Sequence, residues 1–173
     1  MKTLIVIDMQ KDIIDGVLGT KEAQEIVPAV IAKIGAAKAA GDNVIFTRDT
    51  HGPNYLDTME GKLLPVPHCI AGTEGWKIPG EIDDPTCVHI DKPNFGYFRW
   101  DSFNLSSLFE RSDKIELIGL CTDICVVSNA LILKSIFPEI PISVDAKCCA
   151  GVTPESHAAA LITMRMCQVQ IKE

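Results

Sequence analysis

A chain of 173 residues, 47% hydrophobic and 23% charged, has the make-up of a folded globular domain and excludes a disordered protein. Its 16 Lys+Arg against 23 Asp+Glu leave a net charge of −7 with no local basic run, which argues against a nucleic-acid partner or an anionic membrane surface. No segment approaches the roughly 18 consecutive apolar residues of a spanning helix, and the first apolar run stops at Asp8, too soon for a signal peptide, so a cytoplasmic protein is expected.

Residues 3–7 form a continuous apolar run, the pattern of a strand buried on both faces. Ala23, Ile26, Val27, Val30, Ile31 and Ile34 then recur at three- and four-residue steps, which predicts one amphipathic helix. Gly41-Asp42-Asn43 ends it, and residues 44–47 form a second strand. Residues 51–84 are rich in Pro and Gly with little periodicity, and read as a long functional loop or an excursion. A third strand is predicted at 87–90, a short helix at 104–109 and a fourth strand at 115–118. A buried helix follows at 123–134, then a fifth strand at 140–144. Thr153 as N-cap with Pro154 at the first helical position starts a helix to about Cys167, before a last strand at 169–171. No repeat or linker interrupts the order, so residues 1–173 are read as a single domain. Strands alternating with helices predict an α/β fold: three α/β/α layers around a mainly parallel, Rossmann-like sheet of about six strands.

In such sheets ligands bind beyond the carboxyl ends of the strands. Asp8, Asp49, Asp91-Lys92 and the segment Gly119-Leu120-Cys121-Thr122-Asp123-Ile124-Cys125 each follow a predicted strand, so all four converge on one edge. If Thr122 caps the helix after it, Cys125 sits in the first turn. There the helix dipole lowers a thiol pKa, and free N–H groups can receive an oxyanion. From its position alone, Cys125 is equally a packing residue. Asp8 as a base and Lys92 as a charge partner turn the group into a candidate nucleophilic site. Asp49 and His51, two residues apart, point the same way on an extended chain. With His68 they make a two-histidine, one-carboxylate set that suits a zinc-type divalent ion.

The seven cysteines are an odd number in a chain of moderate size, and are expected to be free thiols, mostly small buried hydrophobes. Cys121 and Cys125 lack the C-x-x-C spacing, and the vicinal Cys148 and Cys149 are read as packing. His89 reads as a hydrogen-bonded core residue and His157 as a surface or capping residue.

The pieces Ile7-Asp8-Met9-Gln10-Lys11-Asp12, Thr47-Arg48-Asp49-Thr50-His51, Pro67-His68-Cys69-Ile70-Ala71-Gly72-Thr73, Lys92, the Gly119 to Val126 segment and residues 145–152 stand in the order of a known family. In them the chain resembles the isochorismatase-like cysteine hydrolases, which include the nicotinamidases. The resemblance implies a triad of Asp8, Lys92 and Cys125 that cleaves an amide C–N bond through a thioester. It also implies an oxyanion hole from the backbone N–H groups of Cys121 and Cys125, with a cis Leu120–Cys121 peptide. It places Asp49, His51 and His68 on the metal ligands, zinc being the expected ion. Glu60 is the candidate fourth ligand and Asp57 the reserve. Nicotinamidases hold their ring between aromatic side chains at two places that Ile13 and Pro65 occupy here. The implied substrate is therefore left open between a nicotinamide-like amide and an N-carbamoyl or ureido compound. Tyr97, Phe98, Trp100 and Phe103 read either as lining a pocket or as core or subunit contacts. A homo-oligomer is implied by the family habit, and a catalytically idle binding protein on the same fold is the reading of another class.

Overall fold

The strands are β1 (Lys2–Ile7), β2 (Asn43–Asp49), β3 (Val88–Lys92), β4 (Lys114–Leu120), β5 (Ile142–Ala150) and β6 (Gln170–Lys172). The helices are α1 (Lys11–Ile14), α2 (Lys21–Glu25), α3 (Val27–Ala39), α4 (Met59–Leu63), α5 (Phe103–Glu110), α6 (Val127–Ile136) and α7 (Pro154–Met166). This is a computed structural model that describes residues 1–173, with the side chains of Phe103 and Asn104 outside the described residues. All described strand pairings are parallel, in the order β3-β2-β1-β4-β5-β6.

Alternation along the strands decides the layers. Leu4 and Val6 face one side with Val44, Phe46 and Ile118, and α1, α2 and α3 cover them through Ile14, Ala23, Val30 and Ile34. Ile5 and Ile7 face the other side with Ile45, Leu117 and Val144, under α5, α6 and α7 through Phe109, Leu133 and Met164. The predicted three-layer α/β/α arrangement with a six-stranded parallel sheet is therefore the observed one. Among the described residues no helix is long and apolar enough to cross a membrane.

Three local predictions are corrected. The single stripe from Ala23 to Ile34 is two helices, because Pro28 lies in the first turn of α3 and cannot continue the α2 ladder. The fifth strand runs on to Ala150 instead of ending at 144. Between the pairs Leu117–Val144 and Gly119–Cys149, β5 advances five residues while β4 advances two. The three extra residues form a bulge, and an odd insertion exchanges the faces: Val144 and Cys149 lie on one side and Cys148 on the other. Cys148 and Cys149 thus pack within the strand, as free thiols like the other five cysteines. Finally, the expected helix at 123 begins as a π-helical turn, Thr122–Val126, that leads into α6.

The chain builds outward from β1 to β3 on one side and returns beside β1 as β4, so the order reverses between β1 and β4. The two backbones are very close there. A Cβ on Gly119 would lie 2.1 Å from the Ile7 carbonyl oxygen, and Gly119 has φ +117°, a region closed to most side chains. The residues that follow each strand, Asp8 and Cys121, are thereby held side by side at the switch point.

Candidate active site

Asp8 leaves β1 with a left-handed φ of 46° and is fully buried. Its N–H reaches the Thr47 carbonyl at 3.2 Å, and its Oδ1 accepts from the Thr47 hydroxyl at 2.7 Å. Its Oδ2 lies 2.6 Å from Lys92 Nζ and has no oriented hydrogen-bond donor among the described residues. Lys92, the last residue of β3, is equally buried. Its ammonium also lies 3.4 Å from Cys125 Sγ, 3.2 Å from the Asn94 carbonyl and 3.5 Å from Asp49 Oδ1. The three residues read from separate strand ends are thus one contiguous buried cluster.

The charges in this cluster settle each other. Burial opposes the Lys92 charge, but the Asp8 and Asp49 carboxylates outweigh it and hold the ammonium above the ordinary lysine value. Burial pushes the Asp8 carboxyl up, and Lys92 only partly offsets this. Burial and the Asp8 charge push the Cys125 thiol well up. That runs against the expectation of a thiol acidified by the helix end: burial and the neighbouring carboxylate charge favour the protonated sulfur.

The turn that carries Cys125 starts at Cys121, and the Leu120–Cys121 peptide is cis. The Thr122 side chain does not cap it, contrary to the prediction. Its hydroxyl pairs instead with His157 Nδ1 at 2.8 Å, so His157 is a half-buried support for this turn and not a surface residue. His89 is half-buried, bonded to Asp83 at 2.6 Å and stacked on Phe46.

The second cluster touches the first through Asp49. His51 Nε2 lies 2.9 Å from Asp49 Oδ2, and His68 Nε2 lies 3.5 Å from the same oxygen. Glu60, brought in by α4, places Oε1 3.6 Å from His51 Nε2 and 3.8 Å from His68 Nε2. One ligand atom from each of the four lies within 4.8 Å of the others. Asp57, the reserve candidate, is exposed and outside this group. His68 Nδ1 donates to the Val66 carbonyl at 2.8 Å, since a carbonyl can only accept, and so Nε2 is left facing the cluster. Burial raises the Glu60 carboxyl. Burial also opposes the Asp49 charge, but its bonds to both histidines outweigh this and hold it well below the carboxylate range. Two imidazoles and two carboxylates converging in a largely buried pocket fit a divalent cation of borderline softness.

Both clusters open on one cavity of about 550 Å³, lined among others by Asp49, Glu60, His68, Cys121 and Cys125. Ile13 lines it, whereas Pro65 is exposed and does not. Trp100 is core, packed on Tyr97 and Phe109, and Phe98 is exposed. The predicted role of the Phe103 side chain lies outside the described residues.

Two supporting residues carried no role in the sequence reading. Gln10 is fully buried and clamps the Asp49 backbone: its Oε1 accepts from the Asp49 N–H at 2.7 Å and its Nε2 donates to the Asp49 carbonyl at 2.9 Å. Asn129, one turn after Cys125, donates to the Cys125 and Phe95 carbonyls and accepts from the Tyr97 N–H and the Trp100 indole. An amide in the buried part of a largely apolar helix was the available signal for Asn129.

Comparison with known proteins places this geometry among relatives. The chain is 28% identical over 171 residues to the Bacillus subtilis isochorismatase family protein PncA, covering 92% of each. A pyrazinamidase/nicotinamidase structure from Streptococcus mutans superposes with a TM-score of 0.85 at 29% identity, covering 99% of both chains. A Pyrococcus horikoshii pyrazinamidase solved in complex with zinc has the same fold, with a TM-score of 0.80 at 23% identity over 99% and 98% of the two chains. The isochorismatase domain matches residues 2–172, a span that takes in both clusters, and the chain belongs to that family.

Proposed function

We propose that this protein is an amidohydrolase that cleaves the C–N bond of a small amide, with Cys125 as nucleophile. The observation that carries the reading is the continuous buried contact from Asp8 through Lys92 to Cys125 on the floor of the cavity. Relatives named as nicotinamidases and pyrazinamidases support it.

With a protonated thiol and a carboxylate raised by burial, the proton moves from Cys125 Sγ to Asp8 as the sulfur attacks the amide carbon. Lys92 stays charged throughout and balances the negative charge that passes between sulfur and carboxylate. The backbone N–H groups of Cys121 and Cys125 receive the oxyanion. Collapse breaks the C–N bond, and Asp8 returns its proton to the departing amine, which leaves a thioester. Water then attacks the thioester carbon, giving a proton to Asp8. The carboxylic acid leaves, and the proton returns to the thiolate. Asp49, His51, Glu60 and His68 would hold a divalent ion, zinc being the best match to the donor set. When bound, it supplies a Lewis acid that orients and polarises the substrate.

The test is ammonia release from a panel of nicotinamide, pyrazinamide, aliphatic amides and N-carbamoyl and ureido compounds, using zinc-loaded protein beside its Cys125→Ala variant. Release that depends on Cys125 is expected. Equal background release from both proteins across the panel overturns the reading in favour of a binding protein.

A further inference from the structure

The cavity above Cys125 is far less polar than its floor. Its volume of about 550 Å³ falls in the range of sites for drug-sized molecules, roughly 300–1,000 Å³. An amide group needs only the small part of it beside Cys125, Asp49, Glu60 and His68. The remaining wall is almost wholly hydrocarbon: Ile13, Met59, Leu63, Leu64, Phe95 and Val152 contribute to it. These come from separate segments, α1, α4 and its C-terminal end, the loop after β3 and the turn before α7. A single amphipathic helix face does not account for them. Met59 and Leu63 are 71% and 81% exposed, and Leu64, Phe95 and Val152 are exposed as well. Large apolar side chains gathered around one opening leave hydrocarbon in water that an apolar ligand would cover.

No lysine or arginine lines the cavity among the described residues. Lys92 lies beneath the floor, fully buried and already paired with Asp8. A substrate with a free carboxylate on its body would therefore meet no cationic side chain along the apolar wall, and would leave its water for hydrocarbon.

The geometry points to an uncharged amide with an extended hydrocarbon body as the substrate class. The carbonyl carbon sits at Cys125 and the body lies along the Met59–Leu63 and Phe95–Val152 walls. This rests on the amidohydrolase reading and narrows it, setting aside compact polar amides and anionic carbamoyl compounds.

The experiment measures kcat/KM for ammonia release from acetamide, butyramide, hexanamide and octanamide, and from succinamate as the anionic counterpart of butyramide. The zinc-loaded full chain is used. Efficiency should rise about fourfold per added methylene until the wall is covered, and succinamate should fall at least tenfold below butyramide. Leu63→Gln, a change at an exposed position, should flatten the rise. A level or falling profile, or succinamate matching butyramide, overturns the inference while Cys125-dependent release keeps the amidohydrolase reading intact. Leu63→Gln that dissociates an oligomer and leaves the profile unchanged overturns it equally, giving the rim to a second copy. Absence of Cys125-dependent release from every amide removes the underlying reading and this one with it.

Discussion

Two carboxylates are buried in the same sheet beside lysines, and they behave in opposite ways. Glu116 lies within β4, level with Leu4 and Ser143, and is fully buried. Lys2 reaches it at 2.9 Å, Lys33 at 3.4 Å, and Lys172 makes a third contact. Burial opposes the Glu116 charge, but the three lysines overcome it and push the pKa down to about 2. Asp8, past the end of β1, has a single cation, Lys92, and the Asp49 charge acts against it, so burial wins and its pKa rises. The lysines also differ: those around Glu116 keep part of their surface in water, whereas Lys92 has none. A carboxylate encircled by hydrated cations is a fixed strut. One matched to a single buried cation, with a thiol beside it, holds its charge loosely enough to exchange a proton.

The largest effect that tests this contrast is the pair Asp8→Asn and Glu116→Gln. Asp8→Asn should lower kcat/KM by about 10⁴-fold, the scale on which members of a catalytic unit fail. Its stability should change less than that of Glu116→Gln, because Asp49 and the Asn94 carbonyl still face the Lys92 ammonium. Glu116→Gln should do the reverse, keeping activity and losing stability. Urea denaturation and steady-state kinetics on both variants check it, and a Glu116 variant that loses activity without unfolding would erase the distinction.

Much of this was legible before the fold. The alternating order of elements predicted a parallel sheet, and parallel strands send all their carboxyl ends to one edge. Asp8, Asp49, Lys92 and Cys125 were therefore brought together by topology alone, and Glu60 followed from the resemblance. What escaped was set by packing across the chain. The bulge in β5 has no local signature, since its three extra residues matter only against β4. The direction of the Cys125 pKa depends on burial from every side, which a helix-end argument cannot count. Gln10 and Asn129 are buried polar residues, and most of their partners lie far away in sequence.

The next effect is removal of the metal. Chelation, or His51→Ala, should cost at least about 10²-fold in activity while the thermal midpoint moves little. The four ligands come from a strand end, loops and the short helix α4, and His68 and Asp49 keep their Val66 and Gln10 contacts without an ion. Calorimetry before and after chelation checks this. Unfolding on chelation would make the second cluster structural, and would end its separation from the strut at Glu116.

The smallest effect concerns pH, and it isolates Glu116. Its pKa in the folded chain is depressed, so the folded state favours the charged form relative to the unfolded one. The stabilisation is fully present above the ordinary carboxylate pKa, about 4.3. It is lost as pH falls toward about 2. The integrated contribution is about 3 kcal/mol at most. Asp8 carries the opposite sign: a raised pKa makes its ionisation cost stability above the ordinary range, and acid relieves that cost. Urea titrations from pH 6 to pH 3 should therefore show a steeper acid loss in the parent chain than in Glu116→Gln. In Asp8→Asn the acid loss should be steeper still, because the relief that partly masks the loss at Glu116 is gone. Parallel curves for all three proteins would mean that the lysines around Glu116 are too well hydrated to hold its charge.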